Sequence, residues 1–284
     1  MVLLTLGEIV RYLIFGTGAI GGYFGGRLLQ AGHQVDFIAR GEQLLAISKK
    51  GLQLNSAMGN VTLNNVKVSE FINPSAQYDV VFVTVKSYQL KAAIYAIKSV
   101  CNDNTVIVPL LNGINIEQLC VEYGVKSSQL INAFANIICN VNKCGVIDHS
   151  GAEPHITLGL KNNFHGDNDR ALLMPIIKQV IIDLNSADIK NSFKEDMTSA
   201  IWSKYLFVAP WAAIASLVEQ PLGMIRENPH CYHLLHQLID EYYQIARSHG
   251  VVVSEKTITH IKNGLARLPF NSTTSMQNDV TQRK

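Results

Sequence analysis

The chain is poor in charge. Only 16% of its 284 residues are Asp, Glu, Lys or Arg, and these nearly cancel to a formal +2. So weak a balance gives no support for a nucleic-acid or membrane surface, though it leaves room for a local anion site. Cysteines are few and odd in number, and Cys101, Cys120, Cys139, Cys144 and Cys231 form no CxxC pair. That argues against a disulfide framework and for reduced thiols in the cytoplasm. Long apolar runs are missing as well; none approaches the roughly 20 residues that a transmembrane helix needs. The first ten residues, MVLLTLGEIV, lack the basic start and cleavage site of a signal peptide, and read as an N-terminal extension or an alternative start. Internal repeats and low-complexity tracts are absent from the sequence. What is plentiful is apolar residues, 48% of the chain, enough for a large core in one or two domains.

The apolar residues are arranged in two textures. In the first half, short strand-like runs alternate with helical stretches: Arg11–Gly16, then a helix over Gly22–Ala31 stopped by Gly32, then the strand Gln34–Arg40 and a short helix over Glu42–Lys50. LQLNS and VTLNNVKVSE alternate polar with apolar, as small antiparallel strands do. Tyr78–Lys86 and Thr105–Leu111 are dense in Val, Ile and Leu, the pattern of strands covered on both faces, with a helix over Gln89–Val100 between them. Asn132–Asp148 and His155–Leu160 add further strand-like segments. This β-α-β order predicts an α/β fold with a doubly wound parallel sheet. Beyond about Asn191, helical periodicity takes over in Lys194–Val218, Tyr232–His249 and Glu255–Ala266; Pro210 should kink or break the first, Gly250 ends the second and Ser254 caps the third. The expected division is a Rossmann-type domain over residues 1–192 and an all-helical domain over 193–284.

The strongest motif is Gly16-Thr17-Gly18-Ala19-Ile20-Gly21. A bare GxGxxG is weak, but this one follows a strand, opens a helix and begins a βαβ unit. Gly16 permits a tight turn, Gly18 lets backbone approach a pyrophosphate, and Gly21 lets helix and strand pack closely. The helix start then offers N–H groups and a partial positive charge to phosphates. A dinucleotide-binding loop is expected. The position after the second strand, where an acid would take the ribose hydroxyls of NAD, holds Arg40, which suits a 2′-phosphate; Asp36 lies too early, inside the strand. NADPH is therefore the expected cofactor. Lys86 and Asn112-Gly113 end the next two strands, where ligands of such sheets bind. Taken alone, Lys86 could simply solvate a strand end, and Asn-Gly is an ordinary turn dipeptide.

Taken together these segments resemble the ketopantoate reductases (2-dehydropantoate 2-reductases). The resemblance rests on GTGAIGGYFGGRLLQAGHQVDFIAR, VFVTVKSYQL, LLNGINIEQL, IWSKYLF and NSTTSMQNDV, in that order from Arg11 almost to the C-terminus. It implies an N-terminal NADPH-binding domain, a helical C-terminal domain and an active site in the cleft between them. It implies hydride delivery to the C2 carbonyl of a small 2-keto acid. Lys204 of the W-x-K motif corresponds to the general acid, Asn112 to the residue at the cofactor–substrate junction, and Ser275 to a substrate-binding serine. The chemistry agrees, because an ammonium stabilises and protonates the oxygen that gains charge, and does so best when burial lowers its pKa.

Two departures from the family bear on specificity. Asparagines that contact substrate four and eight residues past the lysine are replaced by Val208 and Ala212. The sequence also ends at Lys284, ahead of the position of a family glutamate. The expectation is reduction of 2-dehydropantoate to pantoate in pantothenate biosynthesis. The alternatives are a reductase of a more apolar 2-keto acid and a regulatory NADPH-binding protein without turnover. A homodimer through the helical domain is compatible with the sequence. No metal is expected, since His230, His233 and His236 lack a completing set of ligands.

Overall fold

The computed structural model of the protein describes residues 10–162 and 164–282. The expectation for the first ten residues thus lies outside the described residues, apart from Val10, which is buried. The chain divides into two compact units, Met1–Met197 and Thr198–Lys284.

The first unit begins β1 (Arg11–Phe15), α1 (Ala19–Gln30), β2 (Gln34–Ile38), α2 (Gly41–Lys50), β3 (Leu52–Ser56), β4 (Val61–Leu63), β5 (Lys67–Ser69), β6 (Val80–Val83), α3 (Leu90–Ile97) and β7 (Val106–Pro109). It continues with α4 (Ile116–Glu122), β8 (Asn132–Lys143), β9 (Val146–Gly159), α5 (Asp167–Ser186) and β10 (Lys190–Lys194). Five strands form a parallel sheet in the order β5-β2-β1-β6-β7. Side chains alternate across it. Tyr12, Ile14, Val80, Phe82, Val106 and Val108 enter one core, while Leu13, Phe15, Val81, Val83 and Ile107 enter the other. Both faces are therefore covered, as the unbroken apolar runs anticipate. The fold is α/β and doubly wound, as expected.

A second sheet, β10-β9-β3-β4 with β8 on β9, was not foreseen as a sheet. The long antiparallel hairpin β8–β9 is its centre, and β9 shares its other edge between β3 and β10. Of the strands expected to be small and antiparallel, β3 and β4 pair that way, but β5 joins the parallel sheet instead. The glycines of α1 explain how that helix fits its surroundings. A Cβ on Gly25 would stand 2.6 Å from Ile14 and Phe37 of the parallel sheet, and one on Gly22 would stand 2.9 Å from Ile147 of the second sheet. Glycine on two faces thins the helix enough to pack against both.

The expected division within 191–194 falls inside β10, which pairs with β9 at Lys190–Lys194, so the compact units separate a few residues later. The second unit holds most of α6 (Met197–Val218), then α7 (Leu222–Glu227), α8 (Pro229–Ser248), α9 (Glu255–Arg267) and α10 (Ser275–Thr281). Ser254 caps α9, its hydroxyl accepting from the Thr257 N–H at 3.2 Å, and Gly250 after α8 takes φ +73°. Pro210 does not break α6, which continues through it with Leu206, Pro210, Trp211, Ala212 and Ala215 buried; packing outweighs the one lost backbone bond. α6 also corrects the expectation that no apolar segment is long enough to span a membrane. By length and composition alone its 22 residues suffice. Within the protein it buries Met197, Ile201, Trp202, Leu206, Trp211, Ala212, Ile214 and Ala215.

Candidate active site

In the first unit, four loops leave the carboxyl ends of β1, β2, β6 and β7, neighbouring strands in the order β2-β1-β6-β7, and so gather at one edge of the sheet. Strand order reverses at β1, with β2 on one side and β6 on the other, and that switch point is where doubly wound sheets bind ligands.

The loop after β1 carries the glycine motif. Gly16 takes φ +109°, and a Cβ there would meet Val85 at 2.8 Å. A Cβ on Gly21 would lie 2.4 Å from both the Gly16 carbonyl and the Thr84 hydroxyl. Gly18 is different. Its φ of −85° is open to any residue, and a Cβ built on it meets nothing within 4 Å. Neither a positive φ nor a tight contact demands glycine at this position, and its bare backbone leaves room for a ligand to approach. Gly18 caps α1 with no side-chain bond, and the first turn, which includes half-buried Ala19 and Ile20, contains no acid. Such a helix start suits an anion. Thr17 is buried and tied to β2, its N–H and hydroxyl both donating to the Ile38 carbonyl at 2.9 Å. These residues fit the pyrophosphate of a dinucleotide.

Two side chains that hold this loop carried no signal as motif residues. Thr84, just beyond β6, donates to the Gly16 carbonyl at 2.6 Å, and Gln43 of α2 donates to the Thr17 carbonyl at 2.9 Å. In the sequence, Thr84 is a lone polar residue interrupting the apolar run VFVTV, and that break was the available sign.

Arg40 does not end the second strand, as read from sequence. β2 stops at Ile38, and Arg40 is the exposed N-cap residue of α2, beyond the strand tip. Asp36 lies within β2, where it accepts from the Arg11 guanidinium at 2.7 Å and the Tyr78 hydroxyl at 2.9 Å. Burial and this carboxylate push the Tyr78 phenol up to about 12. Lys86 likewise stands beyond its strand rather than within it, exposed at the head of a 3-10 turn. Asn112 is exposed after β7, followed by Gly113 at φ +137°. The adjoining Ile114 carbonyl accepts from the Lys161 ammonium at 3.2 Å, and Lys161 is paired with Glu117 in a buried ion pair.

In the second unit, Lys204 lies on α6 and is half-buried. Burial pulls its ammonium down from an ordinary 10.5 to about 8. Val208 and Ala212 follow at one and two turns, so the three share a helix face. Ser275 is the exposed first residue of α10, and the helix is capped by its neighbour Thr274, whose hydroxyl accepts from the Gln277 N–H at 3.1 Å. The preceding loop is tied to the start of α7 by the bonds Leu222 N–H to Ser272 carbonyl, 2.9 Å, and Gly223 N–H to Phe270 carbonyl, 2.8 Å. Among the described residues no group of three or more His, Cys, Asp or Glu side chains could hold a metal ion, and all five cysteines are free.

Comparison with known proteins places the chain among relatives. The profile of the family described as ketopantoate reductase PanE/ApbA matches residues 12–163, and that of the family's C-terminal region matches residues 196–284. An uncharacterized oxidoreductase, YkpB of Bacillus subtilis (strain 168), is 29% identical over 274 residues, covering 95% of this chain and 86% of the relative. The 2-dehydropantoate 2-reductase of Pyrococcus abyssi (strain GE5 / Orsay) is 30% identical over 247 residues, covering 85% and 75%. Among solved structures, D-mandelate dehydrogenase in a ternary structure with NADH and anilino(oxo)acetate has the same fold, with a TM-score of 0.84 at 19% identity over 96% of this chain and 86% of that one.

Proposed function

The chain belongs to the ketopantoate reductase family, and on that premise we propose that it is an NADPH-dependent reductase of a small 2-keto acid, acting in the cytoplasm on 2-dehydropantoate to give pantoate for pantothenate biosynthesis. The observation that supports the dinucleotide part of the reading is Gly18, where no positive φ and no tight contact demands glycine. A bare backbone at the helix start gives a pyrophosphate room to approach.

The roles follow from the residues. Gly16, Thr17, Gly18, Ala19, Ile20 and Gly21 cradle the pyrophosphate, with backbone N–H groups at the start of α1 as donors. Arg40 takes the 2′-phosphate through paired, charge-assisted hydrogen bonds. Asp36, already bonded to Arg11 and Tyr78, does not compete for the ribose. Lys86 and Asn112 complete the nucleotide side, and Ser275 binds the 2-keto acid. When bound, a reduced nicotinamide supplies hydride to the C2 carbonyl carbon. Lys204 meets the charge that develops on the carbonyl oxygen: its ammonium hydrogen-bonds that oxygen and passes it a proton, leaving the 2-hydroxy acid and a neutral amine. A lysine drawn to about 8 by burial still carries its proton at neutral pH, and gives it up more readily than an exposed one.

Val208 and Ala212 favour a second reading, in which the substrate is a more apolar 2-keto acid. A site without donors on this helix face leaves a substrate hydroxyl unsatisfied, at a cost that discriminates strongly. D-mandelate dehydrogenase, which shares the fold, is named for an aryl 2-hydroxy acid, the product class that this second reading assigns to the chain. The test is NADPH oxidation by the purified chain with 2-dehydropantoate and, separately, with phenylglyoxylate. Preferred turnover of the first supports the biosynthetic role, and preferred turnover of the second supports the apolar reading. No turnover of any 2-keto acid contradicts both.

A further inference from the structure

Gln43 stands in the first turn of α2, shortly after Arg40. Its side-chain amide is used at both ends. Nε2 donates to the Thr17 carbonyl at 2.9 Å, and Oε1 accepts from the Gly145 N–H at 2.9 Å. Thr17 belongs to the phosphate loop, whereas Gly145 belongs to the turn between β8 and β9 in the other sheet. A planar amide offers donor and acceptor on one group, which a carboxylate or an alkyl chain of that length cannot do.

Both partners are fixed. Thr17 is tied to Ile38 by its N–H and its hydroxyl. Gly145 takes φ +82°, its carbonyl accepts from the Gln53 N–H at 2.9 Å, and a Cβ there would stand 3.2 Å from that of Ala46. Gln43 therefore links the second sheet, through α2, to the loop. Of the groups bonded to Thr17, the Ile38 carbonyl holds its N–H and hydroxyl from the parallel sheet, and Gln43 holds its carbonyl from α2.

We infer that Gln43 is a positioning residue for the cofactor loop, and that the β8–β9 turn forms part of the nucleotide-binding framework through it. The inference rests on the proposed reading of Gly16–Gly21 as a cofactor cradle. Without Gln43 the Thr17 carbonyl loses this bond and must be ordered when nucleotide binds, and that ordering lowers affinity. Its weight falls on nucleotide binding rather than on the chemical step, because both bonds of the Gln43 side chain go to backbone, one of them in the phosphate loop.

The test uses the full chain with NADPH titrations, steady-state kinetics and thermal melts for the wild type, Gln43→Ala, Gln43→Glu and Gly145→Ala. Gln43→Ala is expected to raise the NADPH Kd and KM about 5- to 10-fold, the effect of one or two neutral hydrogen bonds, while kcat at saturating NADPH falls far less. Gln43→Glu keeps the length and can still accept from Gly145, but cannot donate to Thr17, so its Kd should rise at least as much. Gln43→Ala combined with Gly145→Ala should cost less than the product of the single effects, since both act through one link. Folded Gln43 variants that bind NADPH as tightly as the wild type would overturn the inference and leave the cofactor reading standing. Single effects that multiply fully would overturn the link to the turn. A wild type that binds neither NADPH nor NADH would overturn the cofactor reading and this inference with it.

Discussion

The Thr84 hydroxyl donates to the Gly16 carbonyl at 2.6 Å and occupies the space that a Cβ on Gly21 would need, 2.4 Å away. One contact thus joins the loop after β1 to the end of β6 and sets how closely α1 approaches the sheet. Gly21→Ala must displace backbone or Thr84, so it is expected to destabilise the fold by about 1–3 kcal/mol. Gly18→Ala meets open space and should change stability by less than about 1 kcal/mol, while weakening NADPH binding at least about tenfold through its intrusion on the pyrophosphate. Urea denaturation and NADPH titration of the two variants separate these effects. A Gly18→Ala protein that binds NADPH normally would contradict the cradle.

Arg40 is exposed at the cap of α2, so its removal should leave the fold intact. Arg40→Ala is expected to raise the NADPH Kd about 10- to 100-fold and the NADH Kd much less, because only the 2′-phosphate needs the guanidinium. Titration with both nucleotides checks this. Equal losses would remove Arg40 as the phosphate ligand.

Lys161 and Glu117 form a buried pair beneath the turn that carries Asn112, and the lysine also holds the Ile114 carbonyl. Lys161→Met strands a buried carboxylate and should destabilise the protein by about 3–5 kcal/mol. Pairing it with Glu117→Leu removes the stranded charge and should recover most of that loss. Denaturation midpoints of the single and double variants decide the matter. A double variant as unstable as the single would show that the pair is not the source.

Lys204 predicts a pH profile. Reduction needs the ammonium, so kcat should be flat below about pH 8 and fall above it. Oxidation of the 2-hydroxy acid needs the neutral amine and should rise through the same pH. Stability carries the matching sign. Between about 8 and the ordinary 10.5 the unfolded chain holds this proton and the folded chain does not, so this group makes the fold more stable as pH rises across that window. A reduction rate flat to pH 10 would contradict Lys204 as the acid.

The parallel sheet was legible because β1, β6 and β7 are apolar on both faces, and the glycine loop because it sits between a strand and a helix. The second sheet was less legible. β8 and β9 alternate with polar positions and form one long hairpin, and only tertiary pairing reveals that β9 divides its edge between β3 and β10. α5 went unread because Pro175 interrupts its apolar stretch, although Leu173, Ile176, Ile177, Val180 and Leu184 keep a buried helical stripe. Strand ends were set too late at Arg40 and Lys86, since each directly follows an apolar residue, Ala39 or Val85, while the backbone has already turned into caps. Gln43 could not be found from sequence, because its partners are two backbone groups distant in the chain. The lowered pKa of Lys204 depends on burial, which residue type alone does not reveal.

The most direct test of the account is turnover by Lys204→Ala, measured as NADPH oxidation with the preferred 2-keto acid alongside a NADPH titration of the same protein. The account predicts a fall in kcat of about 10²- to 10⁴-fold, with NADPH Kd close to that of the wild type. Turnover retained within a few-fold of the wild type would contradict it.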